Sequence, residues 1–573
     1  MKKILLVLIL GITSIFGFSQ NNLPYPVIFV HGLTGSDQTF SETFNYMSSR
    51  FGLGRVNVYD VVLNADNENS TADMSKDVKW NDFYFGTWYS SRLINVGRRS
   101  YADDMDDYID GWAYGTNLFA INFKEERIRG AASWYNDWFD YSDQAAIYKQ
   151  GYALSQMIKE VLAYTGAEKV ILVGHSMGGL AIREYLQRTE NGVHVNWVDP
   201  YSSDGHKVAA VITYGTPHLG SNSGFDPTKS LIPDQNTEAM RDLKYSYDSY
   251  TYCSGDPVGI YLFGGYEYCV LSTSSNTTFF NADINCDGDY YDYIVGIDAG
   301  TTDNPNMPLP TNIPYTWITS LWADLGGNLV GDGAVNIDRQ WLHSGNTPAP
   351  VGIADTMLTH LVHTSEASDY KTIIRAMDEP ENPAFAYKLN YYKTYLGFIT
   401  YQPNMYSSDY DIYKVNTSGL SQVKISITDY YSGVDKIEVF SPTYQYLGSA
   451  YVGSSANLTV NTNGNSFVYI RVHGYATSYS WAYPYKLYLT PVYASKSATV
   501  ESEDLITNLY SRDGSVNITL SRTADVNIYD LTGKTVFSGK IDGSRTINLE
   551  KGSIYIIKAT SKDKNETKKI IVQ

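Results

Sequence analysis

The chain has 573 residues, and 43 Lys and Arg face 61 Asp and Glu, a net charge of −18. That balance excludes nucleic acid as a partner, because phosphate binding needs a basic surface. The length exceeds what one core holds and implies about three domains, while three cysteines are too few for a disulfide scaffold.

Residues 1–20 have the form of a signal peptide. Lys2 and Lys3 form a positive start, Ile4 to Phe18 are mostly apolar, and Ser19-Gln20 marks the cut. The apolar part is short for a membrane span, so the mature protein is expected to be exported and soluble. Val27 to Val30 then read as a buried strand running into His31-Gly32-Leu33-Thr34-Gly35. Backbone N–H groups of such a glycine loop can turn toward a reacting carbonyl, which makes Leu33 an oxyanion-hole candidate. The aromatic stretch from Trp80 to Tyr101, with Trp112, Trp134 and Trp138, either lines an acyl pocket or lid or packs the core.

Ile147, Gly151, Leu154, Ile158, Val161 and Leu162 recur at helical spacing, and Thr165-Gly166 closes that helix. The apolar run Val170 to Val173 follows, then Gly174-His175-Ser176-Met177-Gly178 and a new helix through Leu186. A G-x-S-x-G between strand and helix is a nucleophile elbow, which lifts the serine hydroxyl above the sheet edge. Met177, next after the serine, supplies the second oxyanion donor. Val208 to Tyr214 form another strand, ahead of Gly215-Thr216-Pro217-His218-Leu219-Gly220-Ser221.

Residues 222–312 form a Tyr-, Ser- and Asn-rich insertion or cap. Within it Asp283, Asn285, Asp287 and Asp289 place oxygens at alternate positions before a turn. This is either a structural Ca²⁺ loop or an Asx-rich turn, since the twelfth position of an EF-hand pattern holds Ile294. In an oxidising compartment either Cys253 pairs with Cys269, leaving Cys286 as an odd thiol, or all three thiols stay unpaired.

A serine needs a base, an acid that orients it and oxyanion donors. In the elbow's fold class the chain order is serine, acid, histidine. Gly331-Asp332-Gly333 follows the strand Tyr315 to Trp322, so Asp332 is the leading acid and Asp324 the alternative. His194 and His206 come too early, His218 reads as loop packing, and His343 stands too close behind the acid. That leaves His363, nearer the last helix beginning at Ser368-Asp369, with His360 as the alternative base.

Alternating helical and strand patterns up to Asp378 to Pro383 argue for a mostly parallel sheet with helices on both faces. Beyond that boundary helical periodicity stops. Residues 386–495 give short alternating runs such as Gln422 to Ile427, Lys436 to Phe440 and Phe467 to Val472, as in an antiparallel sandwich. Residues 500–573 make a second small β unit, with strands at Val526 to Lys534, Gly552 to Lys558 and Lys568 to Val572.

The ordered motifs His31 to Gly35, Gly174 to Gly179, Gly215 to Ser221 and Gly331 to Val335 resemble those of α/β-hydrolase lipases. The similarity is to bacterial triacylglycerol lipases and GPI inositol-deacylase-like enzymes. It covers roughly residues 24–378 and implies an α/β-hydrolase catalytic domain over 21–385 that cleaves carboxylic esters through an acyl-enzyme. No cofactor for catalysis is implied. Amide or peptide hydrolysis by the same triad is one alternative, and a non-catalytic adhesin on a hydrolase scaffold is another.

Asp411 to Val415, Phe467 to Val472 and Tyr485 to Leu489 resemble the bacterial pre-peptidase C-terminal domain, which implies an accessory sandwich able to contact a cell surface or glycan. The 51 tyrosines suit that contact and half-exposed sheet positions alike. The terminal β unit resembles the C-terminal sorting domain of type IX secretion in Bacteroidetes. It implies that the secretion machinery is a partner and that the protein is secreted or held at the cell surface.

Overall fold

The computed structural model describes residues 21–61, 97–101, 108–123, 147–187, 207–221, 309–323, 329–342, 354–400, 409–429, 433–474, 481–493, 504–512, 514–562 and 564–572, with a few short elements between them. Residues 1–20, the 283–289 loop, Trp80, Trp134, Trp138, Asp324, His206, His343 and the three cysteines lie outside the described residues. No helix among the described residues is long and apolar enough to cross a membrane.

Nine strands make the main sheet: β1 Val27–Val30, β2 Val56–Asp60, β3 Gly97–Tyr101, β4 Tyr108–Asp110, β5 Leu118–Asn122, β6 Val170–His175, β7 Val208–Tyr214, β8 Tyr315–Ser320 and β9 Ala354–Thr359. Their spatial order is β9-β8-β7-β6-β1-β5-β2-β3-β4. The first seven in that order run parallel, and β3 and β4 close one edge antiparallel. Among the described residues its helices are α1 Ser41–Phe51, α2 Ile147–Thr165, α3 Met177–Gln187, α4 His363–Glu366 and α5 Tyr370–Ala376.

The strands read as near-continuous apolar runs because both faces are covered. In β1, Ile28 and Val30 face α2 and α3, in a core that also holds Leu154, Ile158, Ala181 and Leu186. Val27 and Phe29 face the other way, toward Phe44 and Met47 of α1 and Ile373 of α5. This alternation is the period-two rule of a strand applied to a sheet buried on both sides.

The second core does not stop at the helices. It continues into the β-rich residues 387–493, whose Val423, Ile425, Val468, Ile470 and Leu487 belong to the same cluster. Those residues supply all five strands of one sheet and four of the five of another, and the hydroxyls of Tyr413 and Tyr485 meet between the sheets at 2.6 Å. Asn21–Asn22 joins one of these sheets, pairing parallel with Thr394 and Tyr395. Residues up to Val492 accordingly form one compact unit.

The second unit, Tyr493–Gln573, contains a three-stranded and a four-stranded sheet around its own core of Val516, Ile518, Val526, Ile528, Ile557 and Ala559.

Candidate active site

The site lies at the C-terminal ends of the parallel strands, where β6 hands over to α3. Ser176 occupies that hand-over with φ +53, a left-handed conformation rare for a residue with a side chain. Its N–H donates to the Tyr214 carbonyl at 2.9 Å, which pins the turn to the end of β7.

His363 opens α4, and its N–H donates to the Asp332 carbonyl at 2.9 Å. Its Nε2 lies 2.8 Å from Ser176 Oγ and its Nδ1 2.9 Å from Asp332 Oδ2. Asp332 is buried, and its Oδ1 accepts the N–H groups of Ala334 and Val335 at 2.8 and 2.7 Å. Those two bonds fix the carboxylate so that Oδ2 faces the imidazole. His360 is placed elsewhere: its Nδ1–H donates to the Leu321 carbonyl at 3.0 Å and its ring is exposed.

The loop after β1 closes over the elbow. Gly32 permits this approach, because a Cβ there would lie 2.6 Å from Ser176 Cβ and 3.1 Å from the Met177 nitrogen. His31 is a pin rather than a reactive group. Its Nε2 accepts the Phe123 N–H at 3.0 Å while Nδ1–H donates to the Gly32 carbonyl. The same loop is anchored a few residues on. Buried Arg99 donates to Asp37 and, through two nitrogens, to Asp60, and Tyr101 also donates to Asp37. One guanidinium thus ties β3, its neighbour β2 and the loop together.

A second buried carboxylate also reaches the histidine. Glu366, one turn on in α4, places Oε2 3.0 Å from His363 Nδ1 and 3.2 Å from His175 Nε2. It fits because Gly215, at φ +55, has no side chain: a Cβ there would sit 1.9 Å from Glu366 Oε2. Sequence reasoning missed this residue. The available signals were the three-residue spacing of His363 and Glu366 and a histidine inside the elbow motif. Burial opposes the charge on His363, but the hydrogen bonds and charges of Asp332 and Glu366 outweigh it and push it up to about 10. Burial raises Asp332 against the pull of His363, whereas the two histidines outweigh burial at Glu366 and hold it low. His175, His363 and Glu366 are close enough to share a cation. With Ser176 on one imidazole nitrogen and carboxylates on the other, they are arranged as a proton network.

A cation suits another place better. Asp378, Glu379, Asp409 and Asp411 cluster where the last helix passes into the β-rich segment, and one oxygen each of Asp378, Asp409 and Asp411 is buried without a partner. Burial first, with repulsion by neighbouring carboxylates that include Glu381, raises all four, Glu379 to about 8 and Asp409 to about 7. Hard oxygen donors this crowded fit a divalent ion such as Ca²⁺, at a segment whose sequence reads as a domain boundary. The expected result is that chelation by EDTA lowers the melting temperature by several degrees and added Ca²⁺ restores it. An Asp378→Asn/Asp411→Asn variant should lose that response; a melting curve indifferent to both reagents would exclude the ion.

Residues 114–239, which include the elbow, match the lecithin:cholesterol acyltransferase family. Asp332 and His363 lie outside that match. A triacylglycerol lipase from Pseudarthrobacter phenanthrenivorans is 44% identical over 140 residues, 24% of this chain and 36% of the lipase. The chain thus spans about a third of the length of that relative. Among solved structures, the lin2722 product of Listeria innocua aligns over 63% of this chain and 96% of its own, at 9% identity and TM-score 0.32. The pre-peptidase C-terminal domain of a Bacillus anthracis collagenase aligns over 20% of this chain and 99% of its own, at 18% identity and TM-score 0.15. Around Ser176 the chain is therefore similar to the lecithin:cholesterol acyltransferase family, and over 140 of its residues to a triacylglycerol lipase. Residues 512–573 match the secretion system C-terminal sorting domain, and the chain is accordingly secreted or displayed at the cell surface.

Proposed function

We propose that this chain is a secreted serine hydrolase of lipase type, with an α/β-hydrolase catalytic domain, that cleaves carboxylic esters through an acyl-enzyme. The observation that carries the reading is the continuous hydrogen-bonded line from Ser176 Oγ through His363 to Asp332 at the end of a strained elbow. The likeness of residues 114–239 to acyltransferases, and of part of the chain to a triacylglycerol lipase, supports esters over other acyl compounds.

In this mechanism Ser176 Oγ attacks the ester carbonyl as its proton passes to His363 Nε2. The N–H groups of Leu33 and Met177 receive the oxyanion. The imidazolium, steadied by Asp332, then protonates the departing alcohol as the C–O bond breaks. Water, deprotonated by His363, releases the acid and restores Ser176.

A fluorophosphonate probe and a short p-nitrophenyl ester test the reading. The probe should label the protein at Ser176, and Ser176→Ala should lose both labelling and turnover. Labelling elsewhere, or turnover that survives the substitution, would overturn it.

A further inference from the structure

The end of the sheet opposite Ser176 carries a groove that the site around Ser176 does not use. The segments entering β1, β6 and β8 meet the β-rich segment there and enclose about 460 Å³, lined among others by Tyr25, Lys169, Lys388, Lys414, Phe467 and Tyr469. A neighbouring hollow of about 330 Å³ shares Tyr25, Glu168 and Lys388 with it and adds Lys393. Both lie at the N-terminal ends of the parallel strands. The six residues of β6 alone separate that end from Ser176 by about 20 Å, so occupancy of the groove leaves the serine open.

Its chemistry is unlike that of the chain as a whole. On a protein of net charge −18 the groove gathers Lys169, Lys388 and Lys414 against one carboxylate, Glu168, which already pairs with Lys388. Phe467 and Tyr469 stand half-buried on one strand with ring centroids 5.3 Å apart, and Lys414 Nζ lies 4.1 Å from the centre of the Phe467 ring. Exposed Asn312, Asn416, Ser418 and Ser466 also line it, together with the run Pro383 to Tyr387.

We propose that this groove binds an acidic polysaccharide, a polyuronate-like chain, independently of the chemistry at Ser176. Sugar rings present C–H faces to aromatic rings, hydroxyls to amide and hydroxyl side chains, and carboxylates to lysines, and the groove offers all three partners together. A concave site of this volume admits a strand of a few sugar units rather than the flat face of a bilayer. The excess of lysine selects an anionic chain over a neutral one.

Affinity electrophoresis of the full chain through gels containing polygalacturonate tests this, with dextran gels and phosphatidylglycerol vesicles as comparison arms. Polygalacturonate should retard the protein, less so as salt rises, and dextran should not. Lys414→Gln/Phe467→Ala, and separately Lys169→Gln, should weaken binding, the double variant by about tenfold, with p-nitrophenyl ester turnover unchanged. Lys169→Gln keeps the test valid should the double variant misfold. Absence of retardation, equal retardation by dextran, unchanged affinity in the variants, or binding to vesicles in place of the polymer would overturn the proposal.

Discussion

His363→Ala should lower kcat/KM for a p-nitrophenyl ester by about 10⁶-fold, whereas His360→Ala should stay within a few-fold of the parent. The contrast rests on placement. His363 Nε2 touches Ser176 Oγ at 2.8 Å, while the His360 ring is exposed and bonded to a backbone carbonyl. A serine hydroxyl without a base in contact is a poor nucleophile at neutral pH. Steady-state kinetics on both variants, with melting curves as a check on folding, give the answer. A large loss in His360→Ala, or a small one in His363→Ala, would reverse the assignment.

The second large effect concerns the two carboxylates on His363 Nδ1. Where a single carboxylate orients the histidine, its amide variant loses about 10⁴-fold in kcat. Here Glu366 Oε2 also lies 3.0 Å from His363 Nδ1, so Asp332→Asn should cost only about 10²-fold, short of the single-carboxylate loss. Glu366→Gln alone should cost only a few-fold because Asp332 remains, while Asp332→Asn/Glu366→Gln should approach the full 10⁴, which makes the pair strongly non-additive in a double-mutant cycle. The pH profile carries an independent signature. Although burial resists the charge on His363, the two carboxylates push it up to about 10. The neutral base therefore grows as pH rises, and kcat/KM should climb on an alkaline limb well above the usual imidazole range near 6.5. Removing one negative charge in Glu366→Gln should move that limb down. A parent limb near 6.5, or one that Glu366→Gln leaves in place, would show that Glu366 does not act on the base.

What could be read from the sequence at this site is what local motifs encode. Ser176 stands out because a strand, a tight turn and a helix are contiguous, and Asp332 because glycines flank it. The geometry places both within reach of His363, 187 and 31 positions away. Glu366 carries no such local mark. Its role depends on a helical turn that aims it back at His363 and on the missing side chain of Gly215, 151 residues earlier in a different loop. Arg99 is similar, since its partners Asp37 and Asp60 stand 62 and 39 positions away and only sheet order unites them. Asp378 and Glu379 look like a solvated boundary because acids and prolines there suggest exposure. Glu379 is buried and Asp378 half-buried because Asp409 and Asp411 fold back onto them, a pairing that no periodicity reveals. The alternation of apolar residues likewise indicates strands in 386–495 but not that their core would merge with the one beneath the main sheet.

The pairing of Asn21–Asn22 with Thr394–Tyr395 has a consequence for how the chain is made. The amide of Asn22 donates to the Thr394 carbonyl across 372 positions. A ribosome needs on the order of tens of seconds to travel that far. Throughout that interval the nascent chain lacks one strand partner and half of a shared core, so its apolar surface stays available to holdase chaperones. Contacts this distant also predict slow refolding from denaturant.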